Sequence, residues 1–290
     1  MMPARAISGQ PAAGLRLARL ADRLWRGLEP VLVWSPTLVL GLPLAVLMIG
    51  SFAARWDSRG LSGLSLSAYH EALALGLGDI GFSAALALVV MLSNLLFGVP
   101  LAYFLSALRF PGRALARELV GLPVVLPPMI LSMSLILAFP GLLGGWEILY
   151  LGHVIWTLPY MVWPVMAALS GFDRAAVGAA ARTLGASEWT VFRLVILPNL
   201  RGAAGVGAVL VFIISFAEIN GSLFLGSAQY RPVGVALLET FMNLEIRVAA
   251  AFTMIFLGAL AFVFGVAVLL GVRRHEKKVS REDKPCKNAT

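Results

Sequence analysis

The chain has 290 residues, 59% of them hydrophobic and only 13% charged, against roughly 45–50% and about 25% in globular domains. With a mean hydropathy of +0.87, that composition excludes a soluble fold and indicates an integral membrane protein. The net charge of +8 sits in short segments beside apolar runs, which suits topology signals and anionic headgroups rather than nucleic acid.

Residues 1–29 carry Arg5, Arg16, Arg19, Arg23 and Arg26, the last four spaced three or four apart with leucines between. This spacing predicts a basic amphipathic helix on a membrane surface. The run from Val31 to Ala53 is too long for the roughly 7–15 residues of a signal-peptide core and matches the roughly 20 needed to span, so it is read as an uncleaved first transmembrane helix. Five more runs of spanning length follow, at about 81–107, 118–139, 148–170, 202–226 and 246–272. The expected fold is all-α and integral to the membrane: residues 30–272 form a six-helix transmembrane domain, 171–201 a cytoplasmic loop within it, and 273–290 a basic tail.

Nineteen of the twenty-three Lys and Arg lie in the first segment, the loop with Arg109, Arg113 and Arg117, the loop with Arg174, Arg182, Arg193 and Arg201, and the tail. By the positive-inside rule both termini are cytoplasmic, which an even number of spans also requires. On the outer side, Ser67 is expected to cap a short surface helix through Leu73, and His70 there is read as solvated. Residues 140–147 form a tight turn anchored by Trp146.

Several chemistries lack their motifs. No GxxxxGK[ST] phosphate loop occurs, and all four lysines, Lys277, Lys278, Lys284 and Lys287, lie in the tail. His70, His153 and His275 share no metal-ligand spacing, and no GxSxG elbow is present. The lone Cys286 permits neither an intrachain disulfide nor a thiolate cluster. The chain is therefore not read as an enzyme, and no cofactor is expected on it.

The segment 171–201 carries the most local information. Asp173 can cap an alanine-rich helix through Arg174 to Leu184, and Gly185 can turn the chain left-handed after it. Ser187 can cap a second helix, whose apolar face is Trp189, Phe192, Val195 and Ile196, with Pro198 stopping it before the fifth span.

Ala179, Ala180, Ala181, Leu184 and Gly185, followed by Val195, Leu197 and Pro198, resemble the signature loop of the membrane subunits of ATP-binding-cassette importers. That loop reads Glu-Ala-Ala, three residues, Gly, nine residues, Ile, one residue, Leu-Pro. Val195 stands for the isoleucine, and Ala179 departs from the acid. Ser67-Ala68-Tyr69, the segment Leu105 to Arg113, Leu122-Pro123 with Leu126-Pro127-Pro128, and His153 to Tyr160 are similar to further family segments in the same order. The resemblance covers roughly residues 65–272.

The resemblance implies a type I importer permease in the bacterial cytoplasmic membrane. Its partners would be ATPase subunits that bind the ATP and magnesium, a second permease subunit and an extracytoplasmic solute-binding protein. The helix 174–184 would be the coupling helix. Segments around Glu218, Arg231 and Arg247 are most similar to the polyamine, opine and phosphonate branch, with sulfate, molybdate, ferric-iron and thiamine permeases close. A secondary transporter driven by an ion gradient is the competing class.

One charge falls in the fifth span. Glu218, with Ser215 at i−3 and Ser222 at i+4, would form a polar stripe on a helix. A carboxylate there costs roughly 2.5–3.5 kcal/mol on insertion scales and must face a cavity or a partner helix. The stripe is read either as lining the translocation path or as hydrogen bonding that holds the bundle together.

Overall fold

The computed structural model describes residues 12–57, 59–107, 110–171, 181, 183, 185–243 and 245–282. The described residues open with α1 (Ala12–Ser51), so residues 12–29 of the basic segment and the first span form one helix. Its apolar part is Leu24–Ser51. The helix ends in an antiparallel hairpin not expected from the sequence, β1 (Ala53–Asp57) and β2 (Gly60–Leu64), paired Ala53 to Leu64 and Arg55 to Ser62. Trp56 of β1 folds back onto Gly50, where a Cβ would lie 2.0 Å from its ring.

The outer surface helix and second span are also continuous, as α2 (Ser67–Ala107). Ser67 is its first residue rather than its cap; the Ser65 hydroxyl accepts from the Ser67 N–H at 3.1 Å. Gly76 does not break the helix because its bare Cα receives the ring of Phe252, 2.3 Å from where a Cβ would stand. At 1.5 Å per residue, 41 residues reach about 60 Å, twice the roughly 30 Å hydrocarbon core, so α2 projects beyond the bilayer. Arg113 and Arg117 cap its far end: Arg113 Nε donates to the Leu105 carbonyl at 2.7 Å and Arg117 Nε at 3.2 Å, cations placed where a helix C-terminus favours them.

The third span is not one helix. Residues 118–139 divide into α3 (Arg113–Val125) and α4 (Pro128–Ala138), bent by 108°. The cause is the Pro127-Pro128 pair. A residue before proline is pushed out of the helical region, and Leu126 (ψ 130°) and Pro127 (ψ 135°) are both extended. Pro128 then starts α4, where its missing N–H costs nothing.

The fourth span is α5 (Trp146–Ser170). After Gly185, within the second half of the signature loop and on from it, come α6 (Glu188–Val191), a π-helical turn (Phe192–Ile196) and α7 (Leu197–Phe216) as one continuous rod. Pro198 therefore does not stop the helix. The π turn shifts the bonding, with the Leu197 N–H reaching the Phe192 carbonyl, and Pro198 enters as a first-turn residue. The Asn199 side-chain amide donates to the Val195 carbonyl at 2.7 Å.

The fifth span ends at Phe216 rather than near 226. After a break at 217–221 come α8 (Ser222–Leu225), α9 (Val233–Asn243), also not expected, and α10 (Ile246–Glu282), which holds the last span. Among the described residues, five helices are long and apolar enough to cross a membrane, or six counting the bent α3–α4 pair as one. One core joins α2, α5 and α7 around Val90, Met161, Val165 and Val211; a second joins α2, α9 and α10 around Ala72, Val233 and Phe252.

Candidate functional site

Two regions of interest emerge: a buried polar cluster where the fifth span breaks, and the described part of the signature loop.

At the break, Glu218 lies outside any helix, half-buried between α7 and α8. Its Oε1 accepts from the Gly221 N–H at 2.7 Å, and its Oε2 accepts from the Ser222 N–H at 2.8 Å and the Ser222 hydroxyl at 2.6 Å. The carboxylate caps the short α8, meeting donors that a helix start leaves open. The expected helical stripe of Ser215, Glu218 and Ser222 does not exist. The three residues are brought together differently, through a histidine.

His153 of α5 is fully buried. Its Nδ1 is 2.8 Å from the Ser215 hydroxyl and its Nε2 is 2.9 Å from that of Ser222. The single Ser222 proton goes to Glu218, so Nε2 must carry the hydrogen and donate to Ser222, while Nδ1 accepts from Ser215. The neutral imidazole thus bridges the last turn of α7 and the first of α8 across the break. The cluster extends along α5, where the Thr157 hydroxyl donates to the His153 carbonyl at 2.6 Å and accepts from Asn94 Nδ2 of α2 at 2.9 Å.

Close packing fixes the same segment. A Cβ on Gly221 would stand 2.2 Å from the Trp156 ring. The Gly221 carbonyl accepts from the Ser132 hydroxyl of α4 at 3.0 Å. Sequence reasoning missed His153 as a partner because its serines lie 62 and 69 residues away. The available signal was a histidine inside an apolar run, which must find buried partners.

Outside the membrane core, Arg231, in the connection between α8 and α9, joins two elements. Its Nη2 is 2.6 Å from Asp79 Oδ2 of α2 and its Nη1 is 2.8 Å from Glu239 Oε2 of α9. The Asp79 hydrogen bond chiefly raises the guanidinium pKa above its ordinary value.

In the signature loop, Ala179, Ala180, Leu184 and most of the predicted coupling helix lie outside the described residues. Ala181 and Gly185 lie within them. Gly185 adopts φ +70°, and the Ala186 N–H reaches back to the Ala181 carbonyl at 3.0 Å. That bond closes a left-handed helix terminus of the Schellman kind. Ser187 caps the next helix, accepting from the Thr190 N–H at 3.2 Å. On the predicted apolar face, Ile196 is buried, Val195 and Phe192 are half-buried, and Trp189 is 67% exposed.

Among the described residues no group of three or more His, Cys, Asp or Glu is placed to hold a metal ion. A family described as "Binding-protein-dependent transport system inner membrane component" matches residues 94–281. The chain belongs to this family.

Among its relatives, a probable molybdenum ABC transporter permease of Haloferax volcanii is 29% identical over 263 residues, 85% of this chain and 92% of that one. The spermidine/putrescine transport system permease PotC of Escherichia coli is 29% identical over 199 residues, 66% and 74% of the two chains. The sulfate transport system permease CysW of the same bacterium is 28% identical over 228 residues, 70% and 76%. In fold, the chain is similar to one from a bacterial ABC transporter involved in the import of alginate, with a TM-score of 0.67 at 19% identity over 85% of this chain and 96% of that one. A chain of the MetNI methionine ABC transporter gives 0.60 at 15% identity, covering 69% and 96%. The protein is a multi-pass ABC importer permease subunit for a small solute, with the expected type I importer fold.

Proposed function

We propose that this permease subunit forms half of a translocation pathway and takes its driving force from a separate ATPase through the loop 171–201. The observation that carries the reading is the continuity from Gly185 onward. A capped left-handed turn leads into α6, the π turn and α7 without a flexible joint, so displacement at the loop is delivered to a membrane span as a rigid-body movement. On this reading the N- and C-termini are cytoplasmic, ATP and magnesium are bound by the partner, and a second permease and a solute-binding protein complete the importer. Co-purification of the ATPase in detergent tests it: Ala181→Glu and Gly185→Glu release the ATPase, whereas solute uptake by this chain alone, without ATP, supports an ion-driven transporter instead.

For the cargo, a cation such as a polyamine would be met on the path by a carboxylate with a free oxygen, and Glu218 is the one charge in the fifth span. Both its oxygens are taken by Gly221 and Ser222, which supports the bundle-holding reading of this residue. With no free carboxylate there for a cation, our reading is a tetrahedral oxyanion of the molybdate or sulfate kind, supported by the similarity to the probable molybdenum permease of Haloferax volcanii. A polyamine, expected first from the sequence, is here the second reading, from the PotC similarity. Thermal shift of the partner binding protein against molybdate, sulfate, spermidine, putrescine and a phosphonate decides between them.

A further inference from the structure

Pro100, Tyr103 and Phe104 of α2 and Trp189 and Phe192 of the rod line an apolar groove of about 330 Å³. It is walled by rings: Tyr103 and Phe192 meet at 4.8 Å, and Trp189 stacks on Phe192 at 5.6 Å. The groove is open, with Phe104 51% and Trp189 67% exposed.

Gly98 and Gly207 both pack on Met161. From there to the ring contact is five residues along α2 but fifteen along the rod, about 8 Å against about 22 Å of helix. Along the same rod, residues 193, 194, 197 and 201 follow the groove residues and form an exposed side.

That side combines two chemistries. Leu194 and Leu197 are exposed apolar residues. Arg193, next to Phe192 and four residues from Trp189, is exposed, as is Arg201. The ion pairs among the described residues are those of Arg231 and Arg247, so neither Arg193 nor Arg201 has an acidic partner there. Aromatic rings beside exposed arginines suit the boundary where acyl chains meet phosphate headgroups.

The geometry points to this groove as a binding site for an anionic phospholipid of the surrounding bilayer, with an acyl chain between Phe104 and Trp189 and the phosphate against Arg193 and Arg201. The charge selects the occupant: a zwitterionic lipid also brings a phosphate, but its own ammonium group offsets that charge, whereas an anionic lipid presents a net negative headgroup to the two guanidinium groups. Lipid held there would brace the rod against α2 at the point where the signature loop joins the membrane. The site does not depend on the identity of the cargo or the ATPase.

The full chain in nanodiscs of phosphatidylcholine with a minor fraction of phosphatidylglycerol tests this. Phosphatidylglycerol brominated on its acyl chains is expected to quench tryptophan fluorescence more than brominated phosphatidylcholine, and Trp189→Phe is expected to abolish the difference. Native mass spectrometry of the detergent-extracted protein should retain phosphatidylglycerol preferentially. Each of Arg193→Gln and Arg201→Gln should cut that preference about fivefold, the fold-change matching roughly 1 kcal/mol per basic residue at an anionic surface. Equal quenching by the two lipids, a difference that survives Trp189→Phe, or an unchanged preference in the Arg193→Gln/Arg201→Gln protein overturns the proposal. Both arginines are exposed, so these variants test binding rather than folding.

Discussion

His153 and Ser222 are joined by a 2.9 Å hydrogen bond whose direction is set by a third residue. Because Ser222 gives its proton to Glu218, it can only accept from the imidazole. Each member of the chain fixes the role of the next, and the chain closes the break in the fifth span.

His153→Ala should be the most damaging change in this cluster. It orphans the buried Ser215 hydroxyl, takes from Ser222 the bond that it accepts and leaves a void, and an unpaired buried polar group alone costs about 1–3 kcal/mol. Ser215→Ala removes one interhelical bond, of the kind averaging about 0.6 kcal/mol in membranes. Thermal unfolding in detergent should rank His153→Ala well below Ser215→Ala in midpoint.

Glu218 separates a capping role from a cargo role. Glu218→Gln keeps a carbonyl oxygen for the backbone donors and should retain most transport, while Glu218→Ala loses the cap at about 1 kcal/mol. Uptake measured with both variants checks this. Loss of cation transport in Glu218→Gln, with the unfolding midpoint unchanged, would assign the carboxylate to cargo.

Gly221→Ala should destabilise through overpacking, by about 1–3 kcal/mol, because the new methyl would meet the Trp156 ring at 2.2 Å. Trp156→Phe combined with Gly221→Ala relieves the clash, so partial recovery of the unfolding midpoint in the double variant is the expected result.

At Gly185 the strain is in the backbone alone, since nothing lies within 4 Å of an added Cβ. An alanine forced to φ +70° costs about 1–2 kcal/mol. If the loop transmits force, Gly185→Ala lowers transport-coupled ATPase activity in the reconstituted importer while the span itself stays folded.

Arg231→Ala leaves Asp79, only 15% exposed, without its cation. Removing both partners in Arg231→Ala/Asp79→Ala should cost less than the sum of the single changes. A double-mutant cycle on the unfolding midpoint reads that coupling.

The spans were legible because apolar length alone specifies them: α5 and the start of α10 lie within a few residues of their expected positions. Gly185 was legible too, as a left-handed terminus needs a residue without a Cβ. The 108° bend was written in Pro127-Pro128, but apolar length outweighed it when 118–139 was read as one span. Periodicity misplaced Glu218. Its spacing to Ser215 and Ser222 is that of one helix face, whereas the carboxylate accepts from the backbone at the start of α8. The bonds of His153 were illegible in principle, because no local pattern relates residues more than sixty positions apart that meet only when α5 packs against α7.

The π turn at Phe192–Ile196 sets an angle as well as accommodating Pro198. Such a turn holds one residue more than an α turn, and each residue of an α-helix advances the face by about 100°. The facing of α6, and of the Gly185 terminus before it, is therefore out of phase with α7 by one residue. Deleting any one residue of 192–196 would leave both helices intact yet swing the loop by roughly a quarter of a circle. The compass bearing of the signature loop about the fifth span is thus encoded in a count of residues rather than in any single side chain.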